Sequence, residues 1–232
     1  MTANRRAALI AGLLYLLTFV ASIAALPFLS PVLDDPRFVL STGSSVGVVT
    51  GCLLDLVNAA ACVGTAVVLY PLLRRRSPSA SLGFVTSRVL EAAIIAVGVI
   101  CLLSVVTLRQ SEAADDTRVV VALALVTVRD WTFLIGPGLM PAVNALLLGT
   151  ALLRTGLVPR AIPLLGLIGA PLQLISVGAT AFGLNDQLSA WSAVAVLPIF
   201  LWELALGLWL TFRGVSVLEV PRTSASGVPQ VV

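Results

Sequence analysis

Arg88 and Glu91 stand three residues apart inside Leu82 to Leu108, a run that holds no other charged residue. On a helix that spacing puts the two side chains on one face, one above the other, as an ion pair. A charged side chain near the middle of a bilayer costs about 2.5 to 3.5 kcal/mol on insertion scales, so a chain that keeps such residues pairs them or uses them. Asp55 and Asn58 repeat the spacing in a second apolar run, where Asp55 lies about 13 Å from the nearer end, too deep for its short side chain to reach water. Asn144, Gln173 and Glu203 each fall inside a further apolar run. These seven residues form the candidate intramembrane cluster. Arg129 and Asp130 interrupt another apolar stretch and read as an outer-side pair.

Asp55, Glu91 and Glu203 outnumber the one clear base, Arg88, and Arg129 becomes a second base only if its segment folds inward. Such an excess of acid calls for a bound proton, a cation or a water-filled cavity. Two uses stay open. In one, Arg88 pairs with Glu91 and an acid from another helix, while Asn58, Asn144 and Gln173 complete a network that fixes helix packing at about 0.6 kcal/mol per contact. In the other, the acids line a cavity and couple protons or cations to a small solute. A weak internal correspondence favours transport: the second helix of each half carries Asp55 or Gln173, and the third carries Glu91 or Glu203, as in folds with inverted three-helix repeats.

A non-catalytic accessory or signalling subunit, acting through arginine-rich loops, is the alternative. A membrane enzyme that uses Asp55 or Glu203 as acid or base on a lipid or quinone-like substrate has the least support. The chain has no histidine, which removes Ser-His and Cys-His catalysis, histidine metal sites and histidine-ligated haem. Cys52, Cys62 and Cys101 show no CxxC spacing and read as packing residues. Gly43-Ser44-Ser45-Val46-Gly47 matches the GxSxG pattern formally, but a nucleophile elbow needs a strand-to-helix turn and a base. No catalytic residue, metal or cofactor is expected.

The elements that position these residues follow from composition. Of 232 residues, 59% are hydrophobic and 11% charged, against about 45 to 50% apolar and about 25% charged in a soluble domain. The expected fold is therefore all-α: a polytopic transmembrane helix bundle of about six spans, with a short peripheral or part-inserted helix before the fourth. The expected spans are 7–26, 46–70, 82–108, 131–153, 161–182 and 188–212, with a polar loop over 30–44. A glycine ladder at Gly43, Gly47 and Gly51 suits close helix packing or a dimer, and the oligomeric state stays open. The stretch 119–153 would be about 52 Å long as one helix, so a peripheral helix near 118–128 and a break at Arg129-Asp130 are expected, with kinks at Pro137 and Pro141. Residues 1–214 form one domain, and 215–232 read as a disordered cytoplasmic tail.

All 14 basic residues are arginines, clustered in short loops, which is a topology signal and not a nucleic-acid patch. Arg5, Arg6, Arg74, Arg75, Arg76, Arg154, Arg160, Arg213 and Arg222 fall on one side, and Arg37, Arg109, Arg118 and Arg129 on the other. The first group marks the cytoplasm, so both termini are expected inside a bacterial cytoplasmic membrane. The run Arg74-Arg75-Arg76 also suits anionic lipid headgroups. The bilayer is the expected partner, with a small solute or proton as ligand.

Several segments resemble, in order, a bacterial integral-membrane family known as domain of unknown function 4386. They are Arg6-x-x-Leu9-Ile10-Ala11-Gly12-Leu13-Leu14-Tyr15-Leu16, Arg88-x-x-Glu91, Leu153-Arg154-Thr155-Gly156-x-Val158-Pro159-Arg160, and Leu197-Pro198 leading to Glu203 and Leu208-Trp209-Leu210. The resemblance runs from about Arg6 to Gly214 and implies a compact bundle of six or so helices with no assigned reaction.

Overall fold

The computed structural model describes residues 2–35, 37–187 and 189–215. Its helices are α1 (Ala3–Asp34), α2 (Val46–Leu73), α3 (Pro78–Leu108), α4 (Asp115–Phe133), α5 (Met140–Thr155), α6 (Ala161–Ala181) and α7 (Ala190–Phe212). A 3₁₀ turn at Phe38–Leu40 lies in the first loop, and a π turn at Leu134–Leu139 joins α4 to α5. Six helical segments are long and apolar enough to cross a membrane, with α4, the π turn and α5 forming one of them over Asp115–Thr155. The expected tail falls outside the described residues from 216 onward, as does Arg222.

Proline does not end the first helix. Pro27 and Pro31 lie inside α1, which continues to Asp34 beyond the expected end at Leu26. Each proline withholds one amide from the helix ladder, and the Ser30 hydroxyl donates to the Pro27 carbonyl that Pro31 cannot serve (3.4 Å). Likewise α2 runs through Pro71 to Leu73. Serine and threonine hydroxyls turn back onto carbonyls of the preceding turn along the chain, as at Thr50, Thr86, Ser104 and Thr150, so these groups need no water.

The break in the fourth span is also displaced from the expected position. Arg129 and Asp130 are continuous α-helix, and the irregularity falls at Leu134–Leu139 instead. The physical cause is Pro137. Its ring nitrogen cannot donate to the Phe133 carbonyl, and i→i+5 bonding lets the amide of Gly138 do so. In place of a separate short helix ahead of the fourth span, α4 runs into α5 through the π turn without a loop, and together they make one long helical segment.

The spans close into a ring. α1 packs on α2, α2 on α3, α3 on both α4 and α5, α5 on α6, α6 on α7, and α7 returns to α1. α1 and α7 approach closely at Gly12, where an added Cβ would sit 2.6 Å from the Thr211 amide nitrogen and 2.7 Å from the Gly207 carbonyl. Of the expected ladder, Gly51 meets Leu29, Gly47 only grazes Phe28, and Gly43 precedes α2 and touches nothing. The close approaches are instead spread over α1, α2, α3, α6 and α7.

Arginines tie the ends. Arg5 donates to the carbonyls of Leu210, Thr211 and Phe212 (3.0, 2.8 and 3.1 Å), which satisfies orphan acceptors at the C-terminus of α7. Both described ends of the chain therefore lie at one end of the bundle. Arg76 donates to the Thr155 carbonyl there (3.1 Å). At the opposite end Arg109 gathers Ser41, Gly43 and Ser45, so this arginine orders the loop before α2.

Candidate functional site

The ion pair expected on α3 is present and is the hub of a larger group. Arg88 Nη1 stands 3.0 Å from Glu91 Oε2, and Arg88 Nη2 stands 2.9 Å from Glu203 Oε1 on α7. Asn144 of α5 donates from Nδ2 to Glu91 Oε2 (2.7 Å) and accepts the Ser87 hydroxyl at Oδ1 (2.6 Å). The guanidinium lies over the rings of Tyr15 and Phe84, 5.1 and 5.7 Å from their centroids. Arg88 is fully enclosed, at 2% exposure. Side chains from α1, α3, α5 and α7 thus converge on one cation, with two carboxyl groups to one guanidinium.

Helix α2 joins this group from the side. Arg88 Nη1 donates to Cys62 Sγ (3.4 Å), and the Cys62 thiol points at Asn58 Oδ1 (3.8 Å). Asp55, Asn58 and Cys62 are spaced three and four residues apart, so they share one face of α2. Cys62 therefore does more than fill space.

Further toward the end opposite the termini, that face of α2 opens on a cavity of about 200 Å³. Asp55 and Asn58 share its wall with Arg129 and Thr132 of α4, apolar groups of α1 and α3, and Phe133 and Pro137. Arg129 is buried and turns inward, with Nη2 3.9 Å from Asp55 Oδ2. At that distance the two attract without a hydrogen bond. Arg129 lies over the Phe133 ring, 4.6 Å from its centroid, while Asp130 is exposed on the other side of α4. The neighbours Arg129 and Asp130 thus point apart, and Arg129 pairs across to α2 because a helix sends adjacent side chains about 100° apart.

Gln173 joins neither group. Its Nε2 donates to the Gly138 carbonyl in the π turn, and its Oε1 is buried without a partner among the described residues. Beside it lies a second cavity of about 360 Å³, bounded by Ser176, Thr180, Ser189 and Ser192 of the α6–α7 region. Phe133 and Pro137 line both cavities, so the π turn is the wall between them.

Of the expected cluster, then, Arg88, Glu91, Asn144 and Glu203 meet directly, Asn58 is linked through Cys62, Asp55 belongs to a second charged site with Arg129, and Gln173 belongs to a third place. Tyr15, Ser87 and Cys62 were not singled out as site residues. Their signal was positional: Ser87 adjoins Arg88, and Cys62 follows Asn58 by one helical turn. Among the described residues no group of three or more Cys, Asp or Glu could hold a metal ion.

Comparison of the chain with curated proteins and with solved structures finds no match to either. The family model described as Domain of unknown function (DUF4386) matches residues 10–214, a span that includes every charged and amide residue of both groups. The chain, a multi-pass bundle in contact with the lipid bilayer, belongs to that family.

Proposed function

We propose that the protein is a small-solute transporter coupled to protons or cations, with the Arg88 group as the coupling site and the Asp55–Arg129 cavity as the solute site. One observation carries the reading: a polar line runs from the cavity wall at Asn58 through Cys62 to Arg88 and its two glutamates. A solute that displaces Asn58 alters the contacts of the cation that holds Glu91 and Glu203. The second carboxyl group then offers a place for a proton or a small cation. The π turn supports the reading, because irregular backbone inside a membrane lines cavities and serves as a hinge in transporters.

We also place the protein in a bacterial cytoplasmic membrane with both termini cytoplasmic, on the distribution of its arginines. Fusions at either terminus that report opposite compartments would overturn that placement.

The test is proton uptake into proteoliposomes under an imposed membrane potential, with and without a mixture of small zwitterionic and neutral solutes. Uptake above that of empty vesicles, lost in Glu203→Gln, supports coupling. Uptake that survives both Glu91→Gln and Glu203→Gln sinks it.

A second reading has its own observation. Neither cavity is lined by Arg88, Glu91 or Glu203, so the Arg88 group also suits a dry clamp in a non-catalytic accessory or signalling subunit. A stoichiometric partner that co-purifies, with no flux from the isolated protein, favours that alternative.

A further inference from the structure

The two charged groups in the bundle differ in how far the protein itself satisfies them. Around Arg88, the guanidinium makes hydrogen bonds to Glu91, Glu203 and Cys62, and Asn144 adds one to Glu91. Around Arg129, none of the described residues makes a hydrogen bond to its guanidinium or to the Asp55 carboxylate, and the 3.9 Å pair is their one polar contact. Yet both are largely enclosed, at 9% and 16% side-chain exposure, and both face the same cavity. Charges held in this way cost free energy unless something hydrogen-bonds them.

The rest of the wall fixes the geometry of an occupant. The Phe133 ring lies beneath the Arg129 guanidinium, and the Thr132 hydroxyl is spent on the Arg129 carbonyl (2.7 Å). Ile23, Leu26, Leu29 and Ile95 supply an apolar surface opposite the charges. An occupant therefore meets one anion, one cation, the Asn58 amide, the Ser22 side chain and a hydrocarbon wall inside about 200 Å³.

We infer that this cavity binds a small zwitterion with an apolar body, its cationic group on Asp55 and its anionic group on Arg129. Charge balance selects the class. The Asp55–Arg129 pair is neutral, and only a ligand that is itself neutral overall can give each residue a new counterion without burying a net charge. A carboxylate accepts two parallel donors from the guanidinium fork, and an ammonium donates to the aspartate. The inference rests on the solute-site assignment above but does not depend on transport, because it concerns binding alone.

Equilibrium binding to the purified full chain in detergent tests it with four probes: L-leucine and L-valine as zwitterions, 3-methylbutylamine as the cation alone, and 4-methylpentanoate as the anion alone. The expected result is saturable binding of at least one zwitterion, weakened about 10- to 100-fold by Asp55→Asn and by Arg129→Gln, with both single-charge probes weaker. Ser22→Leu keeps both charges but fills the cavity, and it too should remove binding; melting of each variant in detergent shows whether it remains folded. No saturable binding of either zwitterion, equal binding to all three variants, or tighter binding of the amine or the acid overturns the inference. Zwitterion binding without flux overturns the transport reading and leaves this one standing.

Discussion

Arg88 Nη2 lies 2.9 Å from Glu203 Oε1, 115 residues further along the chain. The contact ties α3 to α7 across the ring, and the same guanidinium holds Glu91. Removing the cation leaves two enclosed carboxylates facing each other. Arg88→Met should therefore lower stability by about 3 to 5 kcal/mol, the usual cost of breaking a buried pair from one side. The triple variant Arg88→Met, Glu91→Gln, Glu203→Gln has no charge to orphan, and the amide oxygen that replaces the Glu91 carboxylate would still accept from Asn144. It should recover most of the loss. Unfolding in mixed micelles reads both, and a triple variant no more stable than the single one would show that the pairs are not what the cation contributes.

Cys62 offers a separate handle on the same centre. Its thiol stands between Asn58 and Arg88 (3.8 and 3.4 Å), and sulfur contacts of this kind are weak. Cys62→Ala should cost no more than about 1 kcal/mol in stability, yet it removes the one polar step between the cavity and the clamp. Solute-stimulated proton uptake should fall in Cys62→Ala and persist in Cys62→Ser, which keeps a donor and an acceptor. Equal uptake in both variants would detach the cavity from Arg88.

These two predictions draw on parts of the site that differed in legibility. Arg88–Glu91 was readable because a spacing of three on a helix is local geometry, and the depth of Glu203 and Asn144 in apolar runs demanded a partner without naming it. The pairing of Arg129 was not readable. Beside Asp130 in sequence it read as half of an outer-side pair at a break, a second base only if its segment folded inward, and it is an inward cation because the helix continues through both residues. That continuation depends on Pro137 being absorbed by a π turn, a choice that tertiary packing makes and a local pattern does not encode. The spans themselves were legible from hydropathy, while their ends were not, since α1 runs through Pro27 and Pro31, with the Ser30 hydroxyl meeting the carbonyl that Pro31 leaves free.

The α1–α7 contact that closes the ring depends on the absence of a side chain at Gly12. A Cβ there would meet backbone atoms of Thr211 and Gly207 at 2.6 and 2.7 Å, and backbone cannot swing aside as a side chain would. Gly12→Ala should destabilise by about 1 to 3 kcal/mol through overpacking. Gly178 is also helical but has nothing within 4 Å, so Gly178→Ala should leave stability unchanged or raise it by up to about 1 kcal/mol. Thermal unfolding of the two variants in one detergent separates a helix-propensity effect, which they share, from the packing effect, which only Gly12 has.

Gln173 holds the π turn from α6, and the consequence of losing it can be worked out from the ladder. Pro137 removes one amide from the helix, and the shift to i→i+5 bonding changes which carbonyls find donors on the segment's own backbone. The Gly138 carbonyl is met by Gln173 Nε2, a bond between two spans at the edge of the second cavity. Gln173→Leu should cost about 0.6 to 1.7 kcal/mol, from the average to the largest value measured for interhelical polar contacts in membranes. Because the bond anchors the wall between two cavities, the loss should concentrate locally. Hydrogen exchange at 134–139 should rise in Gln173→Leu while exchange in α3 around Arg88 stays unchanged, and Gln173→Met, which keeps the length of the side chain but has no donor, should behave like leucine. A uniform rise across all spans would mean that the glutamine stabilises the bundle as a whole and does not act on the turn.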